Sequence, residues 1–277
     1  MSNCSIISIC NHKGGVGKTT TVVNLAAGLA KFDKSVLVLD IDPQANASHT
    51  LGKVSPYDSK FTMYDVLMDR AKILSTSYGD TRNDRIKLVP GHISLASAEH
   101  ELRNSAIVGA LALRRKVDEL IMETFDYLLI DCPPSLGILT VNALIASDYY
   151  VIPVEAASIY ALQGIKFLQE IVEEVRDQVN EGLALLGVLI TMYDHRTNIS
   201  KAMRAEILRY FGAENLFNVI VNRNTAIEQA TLNKQTIFEY APRAAGARDY
   251  LETAEEVIDR DEARRAAAQS KKRVVSA

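Results

Sequence analysis

Cysteine is scarce, with three in 277 residues (Cys4, Cys10 and Cys132), and no two of them form a CxxC pair. That excludes a disulfide framework and leaves too few ligands, too widely spaced, for a zinc or iron–sulfur site. Three small hydrophobes buried in a reducing compartment are the expectation. Long apolar runs are missing as well: none approaches the roughly 18–20 residues of a membrane span. No basic stretch followed by an apolar core opens the chain, so no signal peptide is expected. Positive charge is not in excess, since 31 Lys and Arg face 34 Asp and Glu for a net −3. Any affinity for nucleic acid must therefore come from a local basic face. No repeat or low-complexity segment interrupts the chain. What is left is ordinary for a globular protein, 48% apolar and 23% charged, and long enough to bury a core without staples.

The apolar pattern then supplies an architecture. Continuous or alternating apolar runs predict strands at Ser5–Asn11, Val36–Leu39, Ile86–Val89, Tyr127–Ile130, Tyr149–Val154 and Leu183–Met192. Helical spacing predicts helices over Thr19–Phe32, around Thr140–Ala146, over Ile159–Val179 and over Ser200–Phe211. Strands alternating with helices imply the α/β class, a doubly wound and mostly parallel sheet flanked by helices. The polar stretch from Gly52 to Arg85 reads as an excursion with short helices. A single domain is expected over 1–258, followed over 259–277 by a charged, Ala-rich tail that frays at Lys271-Lys272-Arg273. Ligands of such sheets bind beyond the carboxyl ends of the strands, where Lys13, Asp42 and Asp131 all fall.

The first strand runs into Lys13-Gly14-Gly15-Val16-Gly17-Lys18-Thr19-Thr20 and then a helix. A Gly-rich turn in that context aims several backbone N–H groups, and the positive end of the helix dipole, at a phosphate. This is the P-loop of a nucleotide site, with ATP and Mg²⁺ as the expected ligands. Lys18 is expected against the β- and γ-phosphates, and the Thr19 hydroxyl on the metal. The loop departs from the pattern G-x-x-x-x-G-K-[ST], because His12 stands where the first Gly belongs and an extra lysine, Lys13, begins the turn. Two acidic strand ends complete the constellation. Val-Leu-Val-Leu-Asp40-Ile-Asp42-Pro43 places two carboxylates two residues apart, and Pro43 ends regular structure so that Asp42 lies on a loop. Tyr-Leu-Leu-Ile-Asp131 is an apolar strand ending in a carboxylate, the Walker B arrangement in which Asp131 lies near Mg²⁺.

The segment resembles the deviant Walker A box of the ParA/MinD ATPases. The resemblance implies that Lys13 reaches across an ATP-dependent homodimer to the partner's nucleotide. It also implies that Asp42 positions the attacking water, that Asp40 is an outer partner of Mg²⁺, and that Pro133-Pro134-Ser135 with Gly137 senses the γ-phosphate. Within the family, Asp42-Pro43-Gln44-Ala45-Asn46, Thr191-Met192-Tyr193-Asp194 and Arg196-Thr197-Asn198 are similar to segments of the small ParA/Soj-type partition proteins. So are Glu239-Tyr240-Ala241-Pro242 and Gly246-Ala247. Asn222-Arg223-Asn224 falls where those proteins carry P-R-N beside the adenine; Asn222 replaces the proline.

Absent segments narrow the choice further. A strand beginning at Ile6 leaves no room for the N-terminal helix-turn-helix domain of larger plasmid relatives. The C-terminus lacks the bulky apolar face of MinD-type membrane helices, so no membrane partner is expected. The ParA/Soj resemblance implies a cytoplasmic, nucleoid-associated ATPase, slow until a ParB-like protein stimulates it, that holds nonspecific double-stranded DNA in its ATP state and partitions a chromosome or plasmid. Candidate DNA contacts are Arg196, Lys201, Arg204, Arg223, Arg243 and Arg248, with Arg209 and Lys234 in the same basic third. Two rival readings remain: the same ATPase positioning a protein cargo over DNA, and, from a different class, a MinD-like membrane-cycling regulator that acts mainly as a binding switch.

Overall fold

Seven short apolar segments become strands: β1 (Ser5–Ile9), β2 (Val36–Asp40), β3 (Ile86–Val89), β4 (Tyr127–Asp131), β5 (Tyr149–Glu155), β6 (Ala184–Tyr193) and β7 (Leu216–Asn222). The structure is a computed structural model, and it describes residues 4–77, 81–104, 106–157 and 162–275. The strands form one sheet in the order β3-β2-β4-β1-β5-β6-β7, and every pair is parallel. The central β1 lies between β4, where Ile9 faces Asp131, and β5. On its other side β4 pairs with β2, which sets Asp40 opposite Asp131. The loops after β1, β2 and β4 therefore open side by side at one edge of the sheet, where the strand order reverses.

Strand periodicity divides the core in two. Ile7, Ile9, Val36, Val38, Leu129 and Val151 point to one face, where α1 (Lys18–Lys31) and the C-terminal helix (Ala245–Val275) cover them. Ile6, Leu37, Leu39, Leu128, Ile130 and Ile152 point to the other, beneath the helices Leu95–Arg103, Ile138–Ala146 and Ile165–Gln178. Strands apolar on both faces are what a parallel sheet sandwiched between helices demands. The helix that carries the phosphate loop is clamped hardest. A Cβ added at Gly28 would meet Ala254 Cβ at 2.8 Å and the Tyr250 carbonyl at 3.1 Å, so α1 and the C-terminal helix touch backbone to backbone there. Gly28→Val is expected to destabilise the protein by about 1–3 kcal/mol through overpacking. Urea unfolding checks this, and an unchanged midpoint would mean that the two helices separate freely.

Several boundaries differ from those expected. The predicted 159–179 helix begins at Ile165, after Gly164 in a left-handed turn at φ 82°; residues 159–161 of that prediction lie outside the described residues. Strand β7 was not expected. It is an edge strand whose apolar run is broken by the exposed Asn218, and it has no clean period of two. The excursion does hold short helices, at Met63–Leu67 and Ile73–Thr76. Where a loose charged tail was expected from Asp259, the helix that began at Ala245 instead continues to Val275. Its charges explain why. Arg260 Nη1 donates to the Leu186 carbonyl at 2.9 Å, and Ser5 Oγ donates to Asp261 Oδ1 at 2.7 Å while accepting from Arg265 Nη2 at 2.6 Å. Side chains that composition alone makes solvent-seeking are spent on the amino ends of the strands.

Candidate functional site

Between β1 and α1 the chain makes the phosphate loop. Gly15 and Gly17 take φ values of 76° and 86°, a left-handed region that strains any residue with a Cβ. Gly14 and Gly15 are exposed, whereas Val16 is buried and its carbonyl accepts from Thr191 Oγ1 at 2.9 Å. That bond ties the loop to β6, so the matched segment beginning at Thr191 is a wall of the site. Asn11, just past β1, braces the other side: Nδ2 donates to the Pro153 carbonyl at 2.7 Å, and Oδ1 accepts from the Lys13 backbone N–H at 3.0 Å. Lys18 is buried at the start of α1, with its Nζ donating to the Lys13 carbonyl across the loop at 2.9 Å. Burial lowers the pKa of its ammonium, and the nearby carboxylates, Asp131 first, oppose that shift. Thr19 and Thr20 follow on the first turn, both half-buried. Beneath the loop lie Cys10 and Cys132, free and buried; burial pushes the Cys10 thiol up to about 12, which makes it inert.

The three aspartates expected at strand ends converge here, in different states. Asp40 is fully enclosed and satisfied: its Oδ2 accepts from the Ser48 backbone N–H at 2.8 Å and Ser48 Oγ at 2.6 Å, its Oδ1 from the Asp42 N–H at 3.2 Å. Burial still pushes its carboxyl up to about 7, against those hydrogen bonds. Gly91 lets the chain close over it, since a Cβ there would stand 2.9 Å from the Asp40 carboxyl. Asp42 accepts from the Gln44 N–H at 2.9 Å in a tight turn after β2. Asp131 is the exception. It is wholly buried, and neither carboxylate oxygen has a hydrogen-bond partner. Burial, then the charge of Asp40, raises its pKa; Thr19 faces it and works the other way without closing a hydrogen bond.

A buried carboxylate with both oxygens bare costs a fold dearly unless a cation completes it. No cluster of three His, Cys, Asp or Glu able to hold a metal exists among the described residues. Mg²⁺ at a phosphate site does not need one, because it takes one or two carboxylates and completes its shell from phosphate and water. Thr19 and Asp131 fit such an ion, with Asp40 behind them.

Beside the loop, on the β6–β7 side, lies a pocket of about 390 Å³, lined among others by Gly17, Thr20, Met192, Arg223, Ile227 and Tyr250. Asn222 and Arg223 line it as well. Met192 adopts a left-handed φ of 52°, a strained conformation of the sort that collects at ligand sites. The remaining basic candidates are spread over several elements and do not line this pocket. Arg196 is exposed but forks onto Asp194, Nε to Oδ1 at 2.9 Å and Nη2 to Oδ2 at 2.8 Å. Lys201 and Arg204 are exposed on the Asn198–Phe211 helix, and Arg243 and Arg248 are exposed at the approach to the C-terminal helix and in its first turns. Arg196 and Arg223 follow neighbouring strands β6 and β7, so they share one rim. Lys13 Nζ donates to Glu155 Oε2 at 3.0 Å. Sequence reasoning missed Asn11, Ser48, Gly91 and Glu155, which hold the loop or its acids. A polar residue directly after a buried strand was the available signal for Asn11, and none existed for the others.

Comparison with known proteins agrees with this geometry. The AAA domain family model matches residues 4–185. The chain is 42% identical over 252 residues to the sporulation initiation inhibitor protein Soj of Bacillus subtilis, covering 91% of this chain and 97% of that one. It is 35% identical over 264 residues to the chromosome partitioning protein ParA of Caulobacter vibrioides, covering 95% and 97%. Among solved structures, the cobyrinic acid a,c-diamide synthase of Mycobacterium smegmatis with a bound ATP analogue and magnesium superposes with a TM-score of 0.77 at 29% identity, over 91% of this chain and 93% of that one. The ligands of that protein are the pair that the loop and the bare carboxylate of this chain fit.

Proposed function

We propose, since this chain belongs to the ParA/Soj family of P-loop partition ATPases, that its ATPase cycle switches DNA association on and off and so moves a DNA cargo. The observation that supports this best is the pairing of two lysines in one phosphate loop with an unpartnered buried Asp131 beside it. Lys18 and the loop N–H groups hold the β- and γ-phosphates. Thr19 and Asp131, with Asp40 behind, would hold Mg²⁺, which would supply neutralisation of the phosphate charge. Asp42 orients the attacking water. Lys13 leaves its own chain's Glu155 and reaches the nucleotide of a second copy, where its charge acts as an arginine finger does. Phosphoryl transfer needs little covalent help from a protein, so positioning and charge carry the rate, and hydrolysis stays slow until a ParB-like protein stimulates it.

The ATP homodimer brings two copies of the Arg196–Arg223 rim together and doubles a modest basic patch. Nonspecific duplex DNA binds through its phosphates, which places the protein in the cytoplasm on the nucleoid, with a chromosome or plasmid as cargo. No helix among the described residues is long and apolar enough to cross a membrane.

Binding to random-sequence duplex DNA with ATP, ADP or no nucleotide, across a salt titration, tests the reading. Binding is expected with ATP alone, weakening steeply as salt rises, with a slope set by the phosphates neutralised. Charge reversal at Arg196 and Arg223 is expected to weaken it at least tenfold at low salt. A confirmed ATP-dimer that binds no DNA would overturn the reading.

A further inference from the structure

Strand β7 ends the sheet, so its outward N–H groups have no neighbouring strand to receive them. The C-terminal helix supplies the acceptors from carboxylates seven residues apart, hence on one face. Glu256 accepts from the Asn218 backbone N–H at 2.9 Å and from that of Val219 at 3.2 Å. Asp249, itself buried, accepts through Oδ2 from the Asn222 backbone N–H at 2.9 Å and from Asn222 Nδ2 at 3.0 Å. Asn222 Nδ2 also donates to the Ile220 carbonyl at 3.2 Å, and Arg248 stands 3.9 Å from Asp249 Oδ1.

The two carboxylates do different things because of where they act. Glu256 meets the middle of β7, at Asn218 and Val219, and is not among the residues that line the pocket. Asp249 meets its last residue, where the chain turns into Asn222-Arg223-Asn224, a wall of the 390 Å³ pocket. The next residue of the helix, Tyr250, lines the same pocket. The Arg223 backbone N–H donates to the Tyr193 carbonyl at 2.8 Å on the sheet side, so residue 222 braces the approach of the loop from the helix side. Both Asn222 Nδ2 donors are engaged in this bracing, which leaves none over for a base.

We infer that Asp249 is a positioning residue for the nucleoside end of the site: it takes the N–H that a proline at position 222 would not possess, and thereby holds the base-contacting loop in register. The inference rests on the nucleotide reading of the pocket. In Asp249→Val the Asn222 N–H loses its acceptor and the loop shifts, whereas the phosphate loop, anchored separately by Thr191 and Asn11, does not. Adding Asn222→Pro removes the orphaned donor itself.

The test titrates full-length protein with Mg·ADP and with Mg·tripolyphosphate, which lacks the base, by calorimetry. Asp249→Val is expected to bind ADP roughly tenfold more weakly and tripolyphosphate unchanged. Asn222→Pro/Asp249→Val is expected to recover most of the ADP affinity, and Glu256→Val, which removes the acceptor of the mid-strand N–H groups, to alter neither ligand. Equal loss of both ligands, wild-type ADP affinity in Asp249→Val, or the same ADP defect in Glu256→Val would each overturn the proposal. A wild-type protein that binds neither ligand would instead remove the nucleotide reading beneath it.

Discussion

Asp131→Asn is expected to make the protein more stable and inactive at once. Without nucleotide, Asp131 is a buried carboxylate with no hydrogen bond, pushed up by burial and by the Asp40 charge in the next strand. Exchanging the acid for an amide of the same shape removes that repulsion while keeping a polar group in the same buried place, so the nucleotide-free fold is expected to gain about 1 kcal/mol at most. The same exchange takes away the carboxylate that fits the metal. Hydrolysis is then expected to fall by roughly 10²–10³, the loss seen when one preorganised electrostatic contact is removed from a reacting centre. Urea unfolding without nucleotide and steady-state phosphate release measure the two halves. A variant less stable than wild type would show that Asp131 is a structural acid, and the assignment of the metal would fall with it.

Such opposed effects mark the places where sequence and fold part company. The phosphate loop was legible because its glycines are forced: Gly15 and Gly17 take positive φ, and no other residue does so cheaply. The acids at Asp40, Asp42 and Asp131 were legible because they end apolar strands, and parallel register brings strand ends together. Burial and bonding were not legible. Nothing in Val-Leu-Asp-Ile-Asp says that Asp40 would be closed in by Ser48 and Gly91 from two other segments while Asp131 stays bare. The C-terminal charges misled for a similar reason. Composition counts Arg260, Asp261 and Arg265 as solvent-seeking, but the amino ends of β1, β6 and β7 offer them partners that no local pattern encodes. Edge strand β7 escaped notice because exposed Asn218 breaks its apolar run, and the two carboxylates that satisfy its outer N–H groups lie more than 25 residues away in the chain.

Lys13→Ala is expected to spare ATP binding, abolish ATP-dependent dimerisation and lower hydrolysis by roughly 10³, the smaller end of what a supplied cation contributes to phosphoryl transfer. Binding is spared because Lys18 Nζ is held by the Lys13 carbonyl, which alanine keeps. The side chain points elsewhere, to Glu155 Oε2 at 3.0 Å, at the end of β5. Both partners are partly exposed, with 28% and 22% of their side-chain surface open, so screening limits the pair to about 1 kcal/mol or less. A triphosphate on a second copy carries several negative charges and outcompetes one half-screened carboxylate. The ion pair therefore holds Lys13 beside the loop without trapping it, and Glu155→Gln is expected to strengthen the ATP-dimer by no more than about fivefold for each of the two pairs broken, roughly 25-fold in all. Sedimentation with a non-hydrolysable ATP analogue compares the variants directly. Lys13→Ala that still dimerises as wild type does would mean that the lysine serves its own chain, and the trans assignment would have to be abandoned.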